Sequence, residues 1–207
     1  MSEDEFAIEP VPGLPERPPK DEVILWQGRP QWWALAKSSV SVLWVAGYFA
    51  VLTLWRFFSV IDLMPLDLAI AASLPFVILG AATCGLLVLF SVVQARCTMY
   101  TLTNRRVAMR IGAALTITLN LPYTRIDSAD LDLRKDGTGT IALTLQGPTR
   151  FSYLLCWPHV RPWYFSTQPA LRCIPDAETV AGILADAAES RVSVPQVERT
   201  LEPIAAE

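Results

Sequence analysis

The chain has 207 residues, enough for one ordinary domain and a membrane anchor but little more. Apolar residues make up 52% of it and charged residues only 18%, against about a quarter in an average soluble domain. The net charge of −3 combines an acidic start with a mildly basic stretch over 96–191, which is too dilute to indicate a nucleic-acid partner.

Residues 1–20 are acidic and rich in proline, a composition that predicts a disordered leader. Residues 21–37 form the pre-membrane segment. It begins with a short apolar run, typical of a strand, and a Gly28-Arg29-Pro30 turn ends that run.

Two apolar stretches predict a transmembrane hairpin. The first span is placed at 38–58, where eighteen uncharged residues cover about 27 Å as a helix, close to the hydrocarbon thickness of a bilayer. Trp32, Trp33 and Trp55 flank it, as is typical of membrane interfaces. A short loop over 59–67 leads to the second span at 68–95, where Pro75 is expected to cause a kink.

The distribution of basic residues predicts the orientation of this hairpin. Cytoplasmic loops carry an excess of lysine and arginine. Only Arg56 lies on the loop side, whereas seven basic residues flank the hairpin on its other side: Lys20, Arg29, Lys37, Arg96, Arg105, Arg106 and Arg110. We therefore expect both termini in the cytoplasm and the loop 59–67 in the periplasm.

The second span contains a run of small residues over 80–85. Ala81 and Gly85, four residues apart, would let another helix approach closely. Two interpretations remain open: packing against the first span of the same chain, or packing against a second protein, including a second copy in a homodimer.

From Met99 the apolar residues alternate with period two, which predicts an α+β domain over 96–192. An amphipathic helix follows Asp176, with Val180, Ile183, Leu184 and Ala187 on one face. A curved antiparallel sheet closed by this helix is the expected fold, with a flexible tail over 193–207. The predicted strands are 99–103, 107–111, 115–121, 126–134, 141–146, 150–155 and 169–174.

The sequence offers little for catalysis or cofactor binding. His159 is the single histidine, so histidine-based metal clusters and dyads have almost nothing to build on. A Cys156–His159 ligand pair and a chlorophyll-type role for His159 are minor alternatives. The four cysteines are expected to be reduced and mostly buried. We expect no cofactor, no metal and no enzymatic activity.

A segment rich in aromatic residues follows the strand predicted at 150–155. Trp157, Pro158, Trp163, Tyr164 and Phe165 are candidate protein-contact residues, because aromatic residues on loops are enriched at interfaces. The alternative is that they cover the open end of the sheet as local core.

The order of these pieces resembles bacterial membrane proteins that carry a pleckstrin-homology-like (PH-like) domain. The resemblance rests on residues 22–30, the two spans, and the Tyr100-x-Leu-Thr-Asn-Arg-Arg hairpin directly after the second span. Within that group the chain is similar to the photosynthetic complex assembly proteins of purple bacteria, through its proline-rich leader and the segment 168–176. The resemblance covers about residues 10–190.

The resemblance implies a non-enzymatic factor for assembly of the photosynthetic reaction centre, including its light-harvesting complex, in the bacterial inner (intracytoplasmic) membrane. Its expected partners are reaction-centre subunits or other assembly factors, and the lipid bilayer. The alternative is a generic membrane-anchored adapter or a PH-like module that binds anionic lipids. Arg105 and Arg106 would then be the candidate lipid-surface contact.

Overall fold

The computed structural model describes residues 11–113, 115–147, 151–162 and 167–192. Three helices lie in the first half of the chain: α1 (Trp32–Ser38), α2 (Val42–Val60) and α3 (Leu66–Cys97). Within the described ranges, α2 and α3 are the two helices long and apolar enough to cross a membrane. They pack against each other as a hairpin. At 1.5 Å per residue α3 covers about 48 Å, so it extends beyond one bilayer thickness.

The start of the hairpin differs from the expectation of a helix beginning at residue 38. Helix α1 ends there, and α2 begins only at Val42. Ser41 between them has a left-handed backbone (φ 53°), which no continuous helix tolerates. Serine side chains compete for backbone hydrogen bonds, which favours a break at Ser38–Ser41. Helix α1 therefore lies between the hairpin and the domain: it packs on α3, and its Leu35 is buried against Cys173 of the domain.

One strand of the domain comes from before the hairpin. Strands β1 (Ile24–Gly28), β2 (Met99–Thr103), β3 (Arg106–Ile111) and β4 (Ile117–Pro122) form one antiparallel sheet in that order. Strand β2 follows α3 directly and pairs with β1, with Gly28 opposite Tyr100. The domain boundary expected at residue 96 is thus corrected, because the domain includes chain on both sides of the hairpin.

The second sheet contains β5 (Ile126–Leu133), β6 (Gly139–Leu145) and β7 (Ala170–Ile174), also antiparallel and in that order. Helix α5, defined here as Ala177–Val192, packs its apolar face against β5 and β6. The two sheets and this helix enclose one core, which confirms the predicted fold class of a two-helix hairpin joined to an α+β domain. Its fully buried members include Tyr100, Leu102, Val107, Met109, Ile141, Leu143, Leu171 and Ile174.

The strand predicted over 150–155 is wrong in its described part. Residues Tyr153–Cys156 form a short helix, α4. The reason is that β6 already has a strand on each side, β5 and β7, so no edge of β6 remains for another strand. The Gly147-Pro148 turn signal, which indicated a hairpin between 141–146 and 150–155, was therefore misleading as a sign of sheet pairing.

The proline-rich leader is partly packed on the domain. Leu14 is buried, and its backbone N–H donates to the carbonyl of Val11 in a tight turn. Gly13 lies against Met99 with φ +82°, a conformation that glycine adopts without strain. The expected disorder of residues 1–20 is thus corrected for this turn, whereas residues 1–10 and the tail 193–207 lie outside the described ranges.

Candidate functional site

The domain is joined to the hairpin by a buried arginine. Arg172 on β7 is 3% exposed, and its Nη1 donates to the carbonyl of Pro158 at 3.1 Å. Its Nη2 donates to Ser38 Oγ at 3.2 Å and to the Ser38 carbonyl at 3.4 Å, where α1 ends. Burial lowers the pKa of Arg172. The negative end of a helix dipole stabilises a cation here. Arg172 thereby fixes the start of the hairpin against the domain.

His159 lies in the same buried layer. Its Nδ1 is 2.6 Å from the Tyr100 hydroxyl, and its Nε2 is 3.0 Å from Thr98 Oγ1. The Tyr100 hydroxyl also accepts the backbone N–H of Arg172 at 3.2 Å. Burial, together with the nearby Arg172 charge, lowers the pKa of His159 to about 3, so the imidazole is neutral near pH 7. Burial raises the pKa of Tyr100.

The hydrogen bonds of His159 argue against the metal-ligand and chlorophyll-type alternatives for this residue. Both ring nitrogens of His159 are engaged in hydrogen bonds, and the side chain is buried. A metal or magnesium ligand needs a free ring nitrogen. In the part of the chain that the structure describes, no group of three or more His, Cys, Asp or Glu residues is placed to hold a metal ion.

The candidate protein-contact residues fall into two groups. Trp157 is half-buried and stacks on Phe90 of α3, with ring centroids 5.6 Å apart and planes inclined by 22°. Pro158 is buried, and its carbonyl accepts from Arg172. These two residues join the domain to the hairpin, a role that neither the protein-contact interpretation nor the local-core alternative named. Trp163, Tyr164 and Phe165 lie outside the described residues, so their contact role stays a prediction.

The two arginines of the β2–β3 turn bind the pre-membrane segment. Arg106 forms a bidentate ion pair with Glu22, with Nε–Oε1 2.8 Å and Nη2–Oε2 3.2 Å. Arg105 Nη2 is 2.6 Å from Asp21 Oδ2. The turn is also one strand length, about 17 Å, from the end of α3. Arg105 and Arg106 thus hold the start of β1 in place, and their expected lipid contact stays a prediction.

Asn104 completes this clamp. Its Oδ1 accepts the N–H of Val23 at 3.0 Å, and its Nδ2 donates to the Asp21 carbonyl at 3.0 Å. The Asn-Arg-Arg sequence therefore holds the start of β1 beside the β2–β3 turn. Without such contacts β1 and β2 would be joined only by their pairing, because about seventy residues, including the hairpin, separate them in the chain.

Within the hairpin, Gly80 lies directly against α2, whereas Gly85 does not. A Cβ on Gly80 would lie 2.7 Å from Cβ of Phe49, whereas a Cβ on Gly85 would meet nothing within 4 Å. Ala81 lines an apolar groove of about 530 Å³ between the helices, together with Ala50 and Val77. Ala81 and Gly85 are both exposed, so their predicted packing role concerns a surface that α2 does not fill.

A second groove lies between β5 and α5, with a volume of about 480 Å³. Strand β5 is the edge of its sheet, and residues 127–133 are all exposed. Apolar residues form the floor, including Leu131, Ile141 and Leu184, while Asp127 and Glu189 supply negative charge at the walls. An open strand edge beside an apolar groove is suited to adding an extended segment of another protein as a further strand.

Sequence reasoning missed both Gly80 and this groove. The small-residue run over 80–85 indicated close packing but not which residue faces α2. The three acidic residues Asp127, Asp130 and Asp132 were the available signal for an exposed edge, since charged side chains are common on edge strands.

Comparisons with known proteins agree with this architecture. Residues 40–188 match the family model described as Bacterial PH domain. The chain is also 42% identical, over 200 residues, to an uncharacterised 23.7 kDa protein of Rhodobacter capsulatus named for its position in the 5′ region of puhA. That alignment covers 95% of this chain and 94% of the relative, so it includes the hairpin. No solved structure matches the chain.

Proposed function

The chain belongs to the bacterial PH domain family, and from this premise we propose that it is a non-enzymatic assembly factor for the photosynthetic reaction centre, acting also on its light-harvesting complex. The observation that carries the proposal is the similarity to the Rhodobacter capsulatus protein, because that relative is encoded beside puhA, a reaction-centre gene. The similarity extends over nearly the full length of both chains, so it concerns the anchored protein rather than the domain alone.

The proposed site of action is the bacterial inner (intracytoplasmic) membrane. The hairpin exposes large apolar side chains all around, such as Trp44 at 82% and Leu86 at 66%, which water would disfavour strongly. The basic residues flanking its open end support a cytoplasmic position for both termini. The loop between α2 and α3 would then face the periplasm.

Two surfaces would contact reaction-centre subunits or other assembly factors. In the membrane, the exposed face with Ala81 and Gly85 would admit a neighbouring helix or a second copy of the chain. In the cytoplasm, the groove between β5 and α5 would take an extended segment whose basic residues meet Asp127 and Glu189. The Arg172 and His159 contacts hold the two surfaces in a fixed relation, which is suited to presenting one subunit to another.

A binding role is supported by the state of the buried titratable groups. In the described part of the domain, His159, Tyr100 and Arg172 are buried, and they hydrogen-bond to one another or to the backbone. Catalysis by such groups would need access to a substrate. We therefore propose no enzymatic activity.

The test is complementation in Rhodobacter capsulatus lacking the related gene, with this chain expressed in its place. The expected result is recovery of reaction-centre content in isolated membranes, measured by near-infrared absorption, and recovery of a reaction-centre subunit by pull-down after cross-linking. Normal reaction-centre content in the deletion strain, with no subunit in the pull-down, would instead favour the generic adapter.

A matched pair of variants tests the groove. Ala185 is exposed and lines it, so Ala185→Phe fills the groove without disturbing the core. Asp186→Phe adds the same ring one position along α5, outside the groove lining. We expect Ala185→Phe to reduce subunit recovery at least about fivefold, as the loss of about 1 kcal/mol would. Equal recovery with both variants would remove the groove from the proposal.

A further inference from the structure

Helix α4 exposes three consecutive apolar or aromatic side chains. Tyr153 is 46% exposed, Leu154 86% and Leu155 51%, and Leu154 is the most exposed large apolar side chain among the described residues. No aspartate, glutamate, lysine or arginine occurs over 151–160 to solvate this segment. Water disfavours such a surface, because each leucine side chain prefers an apolar environment at least about tenfold.

The residue after α4 attaches it to an exposed face of α3. The backbone N–H of Trp157 donates to the Tyr153 carbonyl at 2.8 Å, so Trp157 continues the turn of α4, and its indole stacks on Phe90. Phe90 shares one face of α3 with Leu86 and Leu89, because residues close to one turn apart are neighbours on a helix. Both leucines are exposed. The exposed surface of α4 therefore lies beside the exposed apolar surface of the hairpin.

Phe90 marks the level at which α4 meets the hairpin. The uncharged part of α3 begins at Leu68, directly after Asp67. Phe90 lies about 33 Å of helix beyond Leu68. The hydrocarbon of a bilayer is about 30 Å thick, so Phe90 is at its edge on the domain side, and a tilt of α3 would place it deeper. Interfacial helices occupy this level, with their apolar face about 5–10 Å into the boundary between headgroups and acyl chains.

Buried contacts on the inner side of α4 fix its position against the hairpin. Cys156 is buried, and the carbonyl of Pro158 accepts from Arg172 Nη1. The stack of Trp157 on Phe90 adds a contact to α3 itself. The medium that surrounds α3 at Phe90 therefore also surrounds the outer side of α4. For a hairpin that crosses a membrane, this medium is the acyl chains next to the headgroup layer.

We propose that Tyr153, Leu154 and Leu155 form a wedge that inserts among the acyl chains of the leaflet on the domain side. The wedge contacts hydrocarbon and α4 has no basic residue, so the contact does not depend on the charge of the lipid. It gives the domain an attachment to the bilayer besides the hairpin and fixes the tilt of the domain. This inference rests on the membrane-spanning hairpin of the proposed function, but it holds whichever protein the groove between β5 and α5 takes.

The test measures the depth of a nitroxide label on the full-length protein in liposomes by electron paramagnetic resonance. Oxygen partitions into hydrocarbon, whereas a water-soluble nickel chelate is excluded from it, so their collision rates with the label report its surroundings. The labels are placed at Leu154→Cys in α4, Leu79→Cys in α3 and Val23→Cys directly before β1, three exposed positions. Cys84→Ala is included in every variant, since the other three cysteines are buried.

The label positions separate the wedge from the hairpin. Oxygen is expected to collide more often than the chelate at Leu154 and Leu79, and less often at Val23, in liposomes of phosphatidylcholine with or without phosphatidylglycerol. Chelate access at Leu154 equal to that at Val23, with Leu79 protected, would overturn the wedge but not the hairpin. Chelate access at Leu79 as well would overturn both.

Two further outcomes concern what covers α4. Protection of Leu154 from both reagents would mean that a protein surface, such as a second copy of the chain, covers α4, and it would overturn lipid as the occupant. Protection from the chelate only when phosphatidylglycerol is present would overturn a contact with hydrocarbon alone.

A matched pair of variants assigns the insertion to the leucine side chains, with the label moved to Leu155→Cys. Leu154→Gln is expected to shift the equilibrium between inserted and lifted α4 about tenfold towards water, which raises the collision rate with the nickel chelate. Leu25→Gln makes the same change at an exposed leucine of β1 and should leave the label at position 155 unchanged. Equal collision rates in the two variants would overturn the assignment. Both leucines are exposed, so neither substitution alters the core.

Discussion

The hairpin and the domain use apolar residues in opposite ways. In the domain, large side chains such as Tyr100 and Leu143 are fully buried in one core. In the hairpin, Trp44 and Leu79 are exposed, and apolar residues cover every face of both helices. A helix that is apolar all around is stable only inside a protein or inside a lipid bilayer. One chain thus combines a region suited to lipid with a region suited to water. An exposed side chain indicates lipid contact in the hairpin and water contact in the domain.

Buried polar side chains lie at the boundary between the hairpin and the domain. Arg172 donates to the end of α1, and His159 joins Thr98 with Tyr100 directly after α3. Most buried polar groups in proteins are hydrogen-bonded. Both terminal nitrogens of Arg172 and both ring nitrogens of His159 have partners, whereas Arg172 Nε has none within the described residues. These contacts hold the ends of α1 and α3 against the sheet.

The largest expected effect comes from placing a charge at an exposed leucine in each region. Leu79→Arg, near the middle of α3, should disfavour membrane insertion by about 3 kcal/mol, because arginine at the centre of a bilayer is costly. Leu133→Arg, at a similarly exposed position on β5, should leave stability within about 0.5 kcal/mol. Carbonate extraction of membranes measures the first and thermal unfolding the second. Equal tolerance at both positions would mean that the hairpin faces water.

The next effect is a dependence of domain stability on pH. The pKa of His159 is lowered to about 3 in the folded protein, from an ordinary value near 6.5 in the unfolded chain. Between these values only the unfolded chain takes up the proton. The stabilisation is therefore complete above pH 6.5 and is lost by about 1.4 kcal/mol per pH unit as the pH falls towards 3.

Denaturant unfolding at pH 7.0 and pH 5.5 measures this difference. His159→Gln keeps hydrogen-bonding capacity without the titration, so its stability should change less between the two pH values. If stability changed equally between the two pH values in the variant and the wild type, the result would contradict a buried neutral imidazole at His159.

The ion pairs of the β2–β3 turn should differ in strength according to burial. The side chain of Glu22 is 3% exposed, so Glu22→Gln should lower the free energy of unfolding by about 2 kcal/mol through the loss of charged hydrogen bonds to Arg106. Asp21→Asn weakens the exposed pair with Arg105 and should cost less than about 1 kcal/mol. Equal losses of unfolding free energy for the two variants, measured by chemical denaturation, would contradict the idea that burial makes the Glu22 ion pair stronger than the Asp21 ion pair.

The smallest effect separates the two glycines of α3. Gly80→Ala should destabilise the hairpin by about 1 kcal/mol, because Phe49 must move to admit the new methyl group. Gly85→Ala meets no neighbour and should be neutral or slightly stabilising, since alanine favours helix. Thermal unfolding in detergent compares the two. A larger loss of stability for Gly85→Ala than for Gly80→Ala would contradict the contact of α2 with the Gly80 face of α3.

Sequence patterns predicted the parts of this fold that depend on local periodicity. The hairpin followed from uncharged length, most strands from period-two alternation, and α5 from the spacing of Val180, Leu184 and Ala187, which are all buried. Local pattern also explains the error at 150–155, where a turn signal at 147–148 indicated a hairpin with β6 but both edges of β6 are occupied by β5 and β7.

The rest depends on contacts between distant residues. Glu22 and Arg106 are 84 positions apart, and Ser38 and Arg172 are 134 apart, so neither pairing leaves a local signature. The groove at β5 exists only because that strand is an edge, which the order of strands decides. The candidate contact residues Trp157 and Pro158 were identified by composition, while their packing on α3 was not, because stacking with Phe90 is visible only in three dimensions.

The most direct test of the central claim, a membrane-spanning hairpin with its domain in the cytoplasm, is thiol labelling in intact cells of variants that each add one exposed cysteine. Leu63→Cys lies in the loop between α2 and α3, and Lys135→Cys lies in the exposed turn after β5. A membrane-impermeant maleimide should label Leu63→Cys in intact cells with a permeable outer membrane, and Lys135→Cys only after the inner membrane is lysed. Labelling of Lys135→Cys before lysis, with Leu63→Cys protected, would contradict the account.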